Sequence, residues 1–287
     1  MWTNEVSPER HQFQVLLSVY NAEKYLEKCL ESLNTSLKGH DWILLYGDDA
    51  STDEGTVELA KSARGLTCDK VHLFDYNKAK TVGEAKNRLI KEAAEHSQKY
   101  PYILFMDADD EMLPERVRMI ETAKEKNSKY VVGGWKRQKL DGSRITVSSA
   151  NAANNLCYGP WATLFHYDFF LKDVGDKPFF PEDSSSNSGH EDLLTWYHLK
   201  HIENKVPTIH DSDEPVHLYM ERKDSVSNFS DKKQLNIRRN SFWSISELIR
   251  KEKRNIYKNP LSEEEMEIVF NKYIHSTKNK IPAAPLH

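Results

Sequence analysis

Cysteine is scarce. Cys29, Cys68 and Cys157 are the only three in 287 residues, far apart and without a C-x-x-C spacing. An odd, scattered set cannot pair completely and reads as reduced thiols in a cytosol-like compartment. Long apolar runs are missing too: no segment approaches the roughly 18 uninterrupted apolar residues of a membrane span. The opening stretch MWTNEVSPERHQ has no apolar run of signal-peptide length. A soluble, cytoplasmic chain is expected, with peripheral membrane attachment as the remaining option. Charge of one sign is also lacking, since 40 Lys and Arg against 44 Asp and Glu leave a formal −4. Neither a polyanion-binding surface nor a disordered acidic chain follows from that balance. No internal repeat is visible.

What is present is a chain with 38% hydrophobic and 10% aromatic residues, enough for a sizeable core. Short apolar runs rich in strand formers occur at 13–19, 42–46, 71–74 and 102–106. Between them lie stretches of helical period: Leu26, Leu30, Leu33 and Leu37, then 54–63, then Ala85, Leu89 and Ala93 within 82–96. Strands alternating with helices imply right-handed crossovers and a mostly parallel sheet. A helix over 114–126 opens with proline in its first turn, and YVVGGW at 130–135 reads as one further strand. The composition turns basic and helical from residue 231, so 1–230 is expected as the main domain and 231–287 as a helical C-terminal extension. Its basic clusters, RRN and RKEKRN, are expected to be solvated faces or an oligomer contact.

In an open parallel sheet, ligands collect beyond the carboxyl ends of the strands. The polar motifs of this sequence fall there: Tyr20-Asn21, Asp48-Asp49, Asn77 and the run Asp107-Ala108-Asp109-Asp110-Glu111. Carboxylates packed this closely repel one another. A solvated loop leading into a helix N-terminus accounts for Asp110 and Glu111, but not for Asp107 directly after a buried run. A divalent cation, Mg²⁺ or Mn²⁺, accounts for the cluster, because these ions take hard oxygen ligands and share their shell with substrate phosphates. A receiver-type phosphoacceptor pocket also gathers aspartates, yet its later lysine and threonine signals are not evident.

Seven segments, VLLSVYNAEKYLEKCLESL, ILLYGDDASTDEGT, NKAKTVGEAKNRLI, YILFMDADDEMLP, GPWATLFHYDFF, GHEDLLTWYHL and EPVHLYMERKDSVS, resemble in order the family 2 glycosyltransferases of GT-A fold, over about residues 13–228. The resemblance implies an α/β fold with a Rossmann-like, mostly parallel nucleotide-binding sheet flanked by helices. It divides the domain into a nucleotide-sugar half (13–114) and an acceptor half (115–230). It implies an inverting transfer from a nucleoside-diphosphate sugar, UDP-linked by family habit, to an acceptor hydroxyl on a glycan, lipid-linked sugar, protein or modified nucleic acid.

The resemblance also assigns roles. Asp107, Ala108 and Asp109 form the DxD motif, with Asp109 and Asp107 on the metal; Asp48 and Asp49 read the base; Val19, Tyr20 and Asn21 pack on the nucleoside. Lys86 and Asn87 stand at the family's Ala-Arg-Asn element, where lysine keeps the charge but loses the bidentate geometry of arginine. Arg222 lies in the segment resembling a Tyr-Arg-x-Arg/His pattern, and Met220 replaces its first arginine. Asp192 becomes the general base with Glu191 beside it, and Trp161 a sugar-stacking platform for the acceptor. His217 is a weaker metal candidate. The alternatives are a nucleotidyltransferase, which normally has a glycine-rich phosphate loop that SVYNAEKYL lacks, and a non-catalytic nucleotide-sugar-binding module.

Overall fold

A computed structural model of the chain describes residues 10–63, 66–79, 81–154, 159–175, 178–180, 182, 195 and 207–222. In chain order these comprise β1 (Gln12–Val19), α1 (Leu26–Ser36), β2 (Asp41–Asp48), α2 (Glu54–Ser62), β3 (Lys70–Asp75), α3 (Val82–Ala93), β4 (Tyr102–Asp107) and β5 (Glu111–Met112). Then follow α4 (Glu115–Glu125), β6 (Tyr130–Val132), β7 (Trp135–Gln138), β8 (Arg144–Val147), α5 (Ser149–Asn154), β9 (Thr163–His166), β10 (Thr208–Ile209) and β11 (His217–Met220). All the strands belong to one compact unit; residues 81–84, 178–180, 182, 195, 221 and 222 belong to a second. The expected extension at 231–287 and the helix expected near Glu191 lie outside the described residues.

The main sheet has seven strands in the order β10-β6-β9-β4-β1-β2-β3. β1 pairs in parallel with both β2 and β4, and β2 in parallel with β3, while β9 runs antiparallel between β4 and β6. The central strands are buried on both faces, Val15, Leu16 and Leu17 by at least 99%, which explains why they read as continuous apolar runs rather than alternations. α1 lays Leu26, Cys29, Leu30 and Leu33 into the core, the face its periodicity marked. Gly47 in β2 leaves room for α3: a Cβ there would sit 3.0 Å from Leu89 Cδ2.

The run YVVGGW, expected as one strand, is two. β6 ends at Val132 in the main sheet and β7 begins at Trp135 in a four-stranded sheet of order β5-β11-β7-β8. Gly133 and Gly134 make the crossing. Gly133 N–H donates to Ala162 O and Gly134 O accepts from Val216 N–H, so successive residues bond to different segments. A Cβ on Gly133 would lie 2.5 Å from Val216 Cγ2, and one on Gly134 would lie 2.8 Å from the Val147 carbonyl oxygen. Chain crossing between two sheets at this distance requires glycine at both positions.

Candidate active site

The loops after β1 and β2 are laced together. Val19 O accepts the Asp49 N–H at 2.9 Å, Asn21 N–H donates to Ser51 Oγ at 3.0 Å, and Asn21 Oδ1 accepts the Thr52 N–H at 2.8 Å. Asn21 holds φ +47° to make this turn, a conformation asparagine tolerates better than most residues. Tyr20 is left half exposed, with the Lys78 ammonium 3.1 Å from its ring centre.

Asp48 caps its own turn by accepting the Ser51 N–H at 2.9 Å. Asp49 is buried and already engaged: Oδ1 accepts the Ala79 N–H at 2.6 Å, Oδ2 accepts Lys78 Nζ at 2.7 Å, and Arg88 Nη1 lies 3.8 Å from Oδ1. It therefore ties the end of β2 to the loop before α3. Each carboxylate oxygen retains a second lone pair for a ligand N–H.

On α3, Lys86 and Asn87 are both buried, and Lys86 Nζ reaches to 3.6 Å from Asp107 Oδ1. Asp107 ends β4 with its side chain 29% exposed; Ala108 is buried and Asp109 half buried. The lysine charge thus falls on the carboxylate that ends β4.

Asp110 is no solvated helix-entry acid. It is 1% exposed, accepts His217 Nε2 at 2.9 Å and the Met220 N–H at 2.9 Å, and so clasps the post-β4 loop to β11. Glu111 does not open a helix either; it begins the two-residue β5, paired with β11. His217 is fully buried, and burial, followed by the nearby Arg116 charge, drives its pKa well below the ordinary imidazole value. The neutral ring donates from Nε2 to Asp110 and stacks on Trp161 with centroids 4.8 Å apart. His217, the weaker metal candidate, is thus engaged through Nε2 with Asp110.

Beneath the acidic loop lies Arg116 on α4, fully buried. Its Nη2 donates to Phe105 O at 2.9 Å, Thr163 O at 3.3 Å and Pro160 O at 3.4 Å, and its Nη1 meets Met106 Sδ at 3.4 Å. Burial lowers its pKa to about 9, against the pull of Asp107 and Asp110, so it remains charged at neutral pH. Much of the countercharge that the aspartates need is internal, supplied by Arg116 and Lys86. Sequence reasoning passed over Arg116, although it stands four residues before Ile120 and seven before Ala123 on the buried face of α4. Cys29 donates its S–H to Asp107 O at 3.7 Å; burial first, then the surrounding acids, push its thiol pKa well up. That thiol is structural.

The resemblance implies a divalent cation, and the donors present fit one of limited demands. Among the described residues no group of three or more His, Cys, Asp and Glu side chains could hold a metal. An ion taking one or two carboxylates and completing its shell from water and diphosphate needs no such cage, and Asp107 and Asp109 at a rigid strand end suit it. Trp161 is half buried, edge-on to Trp135. Arg222 is half buried two residues beyond β11, in the second unit. Glu191 and Asp192 lie outside the described residues.

The mostly parallel α/β sheet, with acidic residues at the carboxyl ends of β2 and β4, matches the GT-A fold of glycosyltransferases. The chain belongs to Glycosyl transferase family 2, whose sequence model matches residues 14–188. The teichoic acid poly(glycerol phosphate) polymerase of Staphylococcus epidermidis is 28% identical over 103 residues, which is 36% of this chain and 13% of that protein's length. Among solved structures, S. aureus TarS 1-349 in complex with UDP-GlcNAc superposes with a TM-score of 0.59 at 21% identity, over 93% of this chain and 73% of that one. The mannosyltransferase PcManGT from Pyrobaculum calidifontis, solved with GDP-Man and Mn²⁺, gives a TM-score of 0.55 at 13% identity, over 96% of this chain and 77% of its own. At these identities the structural likeness establishes the fold.

Proposed function

We propose that this chain transfers a sugar from a nucleoside-diphosphate sugar, UDP-linked, to an acceptor hydroxyl with inversion at the anomeric carbon. The observation that carries this reading is the Lys86 Nζ to Asp107 Oδ1 approach of 3.6 Å at the end of β4, inside the span matched by the family. A cation and a carboxylate side by side at a strand end support the departure of a diphosphate there. The TarS structures solved with UDP and UDP-GlcNAc support uridine as the base.

In this mechanism Val19, Tyr20 and Asn21 pack against the nucleoside, and Asp48 and Asp49 accept its ring N–H. Asn87 and Ala108 complete the donor wall. Asp192 takes the proton from the acceptor hydroxyl as that oxygen attacks, with Glu191 orienting the acceptor. Attack from the face opposite the diphosphate inverts the configuration. Lys86 and Arg222 stabilise the negative charge that grows on the departing diphosphate. A divalent cation held by Asp109 and Asp107 would add Lewis-acid stabilisation of that same charge.

The test is incubation of the chain with Mn²⁺ and a panel of nucleotide sugars, following nucleoside diphosphate, free sugar and pyrophosphate by NMR. Release of UDP with slow loss of sugar to water is expected. Pyrophosphate release in a parallel incubation with UTP and a sugar 1-phosphate would instead mark a nucleotidyltransferase, and binding without any turnover a non-catalytic module.

A further inference from the structure

Beside the acidic loop stands a group of rings that the donor does not use. Trp161 meets Trp135 edge-on at 5.4 Å between centroids and Tyr219 at 5.8 Å, and Trp135 lies 6.4 Å from Tyr219. β7 and β11 pair Trp135 with His217 and Arg137 with Tyr219, so strand alternation puts all four on one face of the small sheet. The Arg137 guanidinium carbon lies 5.8 Å from the centre of the Tyr219 ring. Trp135, Arg137, Trp161 and Tyr219 are each only partly buried, whereas aromatic rings of the main core such as Phe13, Trp42 and Phe165 are fully so.

The position of Trp161 is built in. A Cβ on Gly159 would fall 2.4 Å from its Cε2 and Nε1, so the indole rests directly on a glycine backbone. Through His217, stacked on Trp161 and bonded to Asp110, the rings are joined to the loop that carries Asp109. The hairpin bearing Trp135 and Arg137 is also distinctly basic. Residues 135–147 contain Lys136, Arg137, Lys139 and Arg144 against Asp141, a net +3 in a chain of net −4.

Trp135 and Trp161 pack in part against the main core. The aromatic surface that they and Tyr219 leave partly exposed suits the C–H faces of sugars and polyols, and a guanidinium beside it suits a phosphate, which it can hold with two parallel hydrogen bonds. We propose that Trp135, Trp161, Tyr219 and Arg137 form an acceptor subsite, and that the acceptor presents a sugar or polyol next to a phosphate. This rests on the glycosyl-transfer reading and names the substrate class for it.

The experiment titrates the whole chain, with UDP and Mn²⁺ present, against three polymers: poly(glycerol phosphate), neutral dextran and inorganic polyphosphate. Tryptophan fluorescence and calorimetry provide the readouts. Poly(glycerol phosphate) is expected to change tryptophan emission and to bind at least about tenfold more tightly than dextran, the scale of one charge-assisted contact. Polyphosphate is expected to bind without altering the emission. Arg137→Gln should lose about tenfold in affinity for poly(glycerol phosphate), and Trp161→Leu should lose the fluorescence response. UDP affinity and melting temperature of both variants serve as controls of folding.

Equal binding of dextran overturns the phosphate; binding of polyphosphate as tight as that of poly(glycerol phosphate), with no emission change, overturns the ring wall. No binding of any polymer overturns the subsite. UDP release from the nucleotide sugar is scored separately, so its loss counts against transfer and leaves the polymer result standing on its own.

Discussion

His217 Nε2 and Asp110 Oδ2 lie 2.9 Å apart, both residues buried and separated by 107 positions in the chain. The contact fastens β11 to the loop whose other carboxylates are proposed to hold metal and diphosphate. Removal of Asp110 leaves a buried imidazole and the Met220 N–H without their acceptor. Asp110→Ala should therefore cost on the order of 3 kcal/mol, with Asp110→Asn costing less because an amide oxygen can still accept the backbone bond. Urea unfolding measures both, and an unchanged midpoint for the alanine variant would remove the clasp.

Arg116 makes a different kind of demand. No carboxylate lies within ion-pair distance of it among the described contacts, yet it faces the field of Asp107 and Asp110; its Nη2 donates to three carbonyls, while its buried Nε has no hydrogen-bond partner. Arg116→Leu should destabilise by on the order of 3 kcal/mol. Arg116→Lys should recover only part of that, since an ammonium cannot span the same acceptors. Full stability of the leucine variant would mean that Lys86 alone balances the acids.

Gly134 tests the crossing between sheets. The nearest atoms to an added Cβ are backbone, Val147 O at 2.8 Å and Ser149 N at 3.1 Å, so no side chain can rotate away. Gly134→Ala is expected to cost about 2 kcal/mol and to lower the melting temperature, while Gly142→Ala, in open space at a turn of φ +83°, should cost about 1 kcal/mol. Thermal melts of the two variants give the comparison.

The proposed metal assignment is checked by calorimetry. Asp109→Ala, or EDTA on the unaltered chain, should weaken UDP binding by about tenfold or more, whereas Asp192→Asn should abolish transfer and leave UDP affinity nearly unchanged. Equal affinity with and without Mn²⁺ would count against Asp109 and Asp107 as ligands.

Acidification should loosen the base of the sheet. His40 stacks on His11 at 5.4 Å, and burial first, then the neighbouring His11, lower its pKa. The unfolded chain then takes up this proton before the folded one does. Stability contributed by a neutral His40 is fully present above the unfolded value of about 6.5 and falls as pH drops below it. The slope should stay well under the limit of about 1.4 kcal/mol per pH unit, because the ring is partly solvated. His40→Gln should flatten the dependence of the urea midpoint between pH 7 and pH 5; an identical slope would assign it elsewhere.

Much of this architecture is legible from the residues alone, for a physical reason. β1, β2 and β4 are covered on both faces, so their runs are uninterruptedly apolar, and α1 and α3 carry their buried stripes at helical spacing. Local pattern thus determined the strand–helix alternation, and alternation determined that the acids at 48, 49, 107 and 109 gather at one edge of the sheet. Pairings across long separations have no such local signature. That Gly133 and Gly134 divide one apolar run between two sheets, that Asp110 turns inward to His217, and that Arg116 is buried in the field of Asp107 and Asp110 were decided only when segments up to 110 residues apart came into contact. A buried arginine or aspartate looks in sequence like its exposed counterpart, and only the packed surroundings determine which charges must find a partner inside.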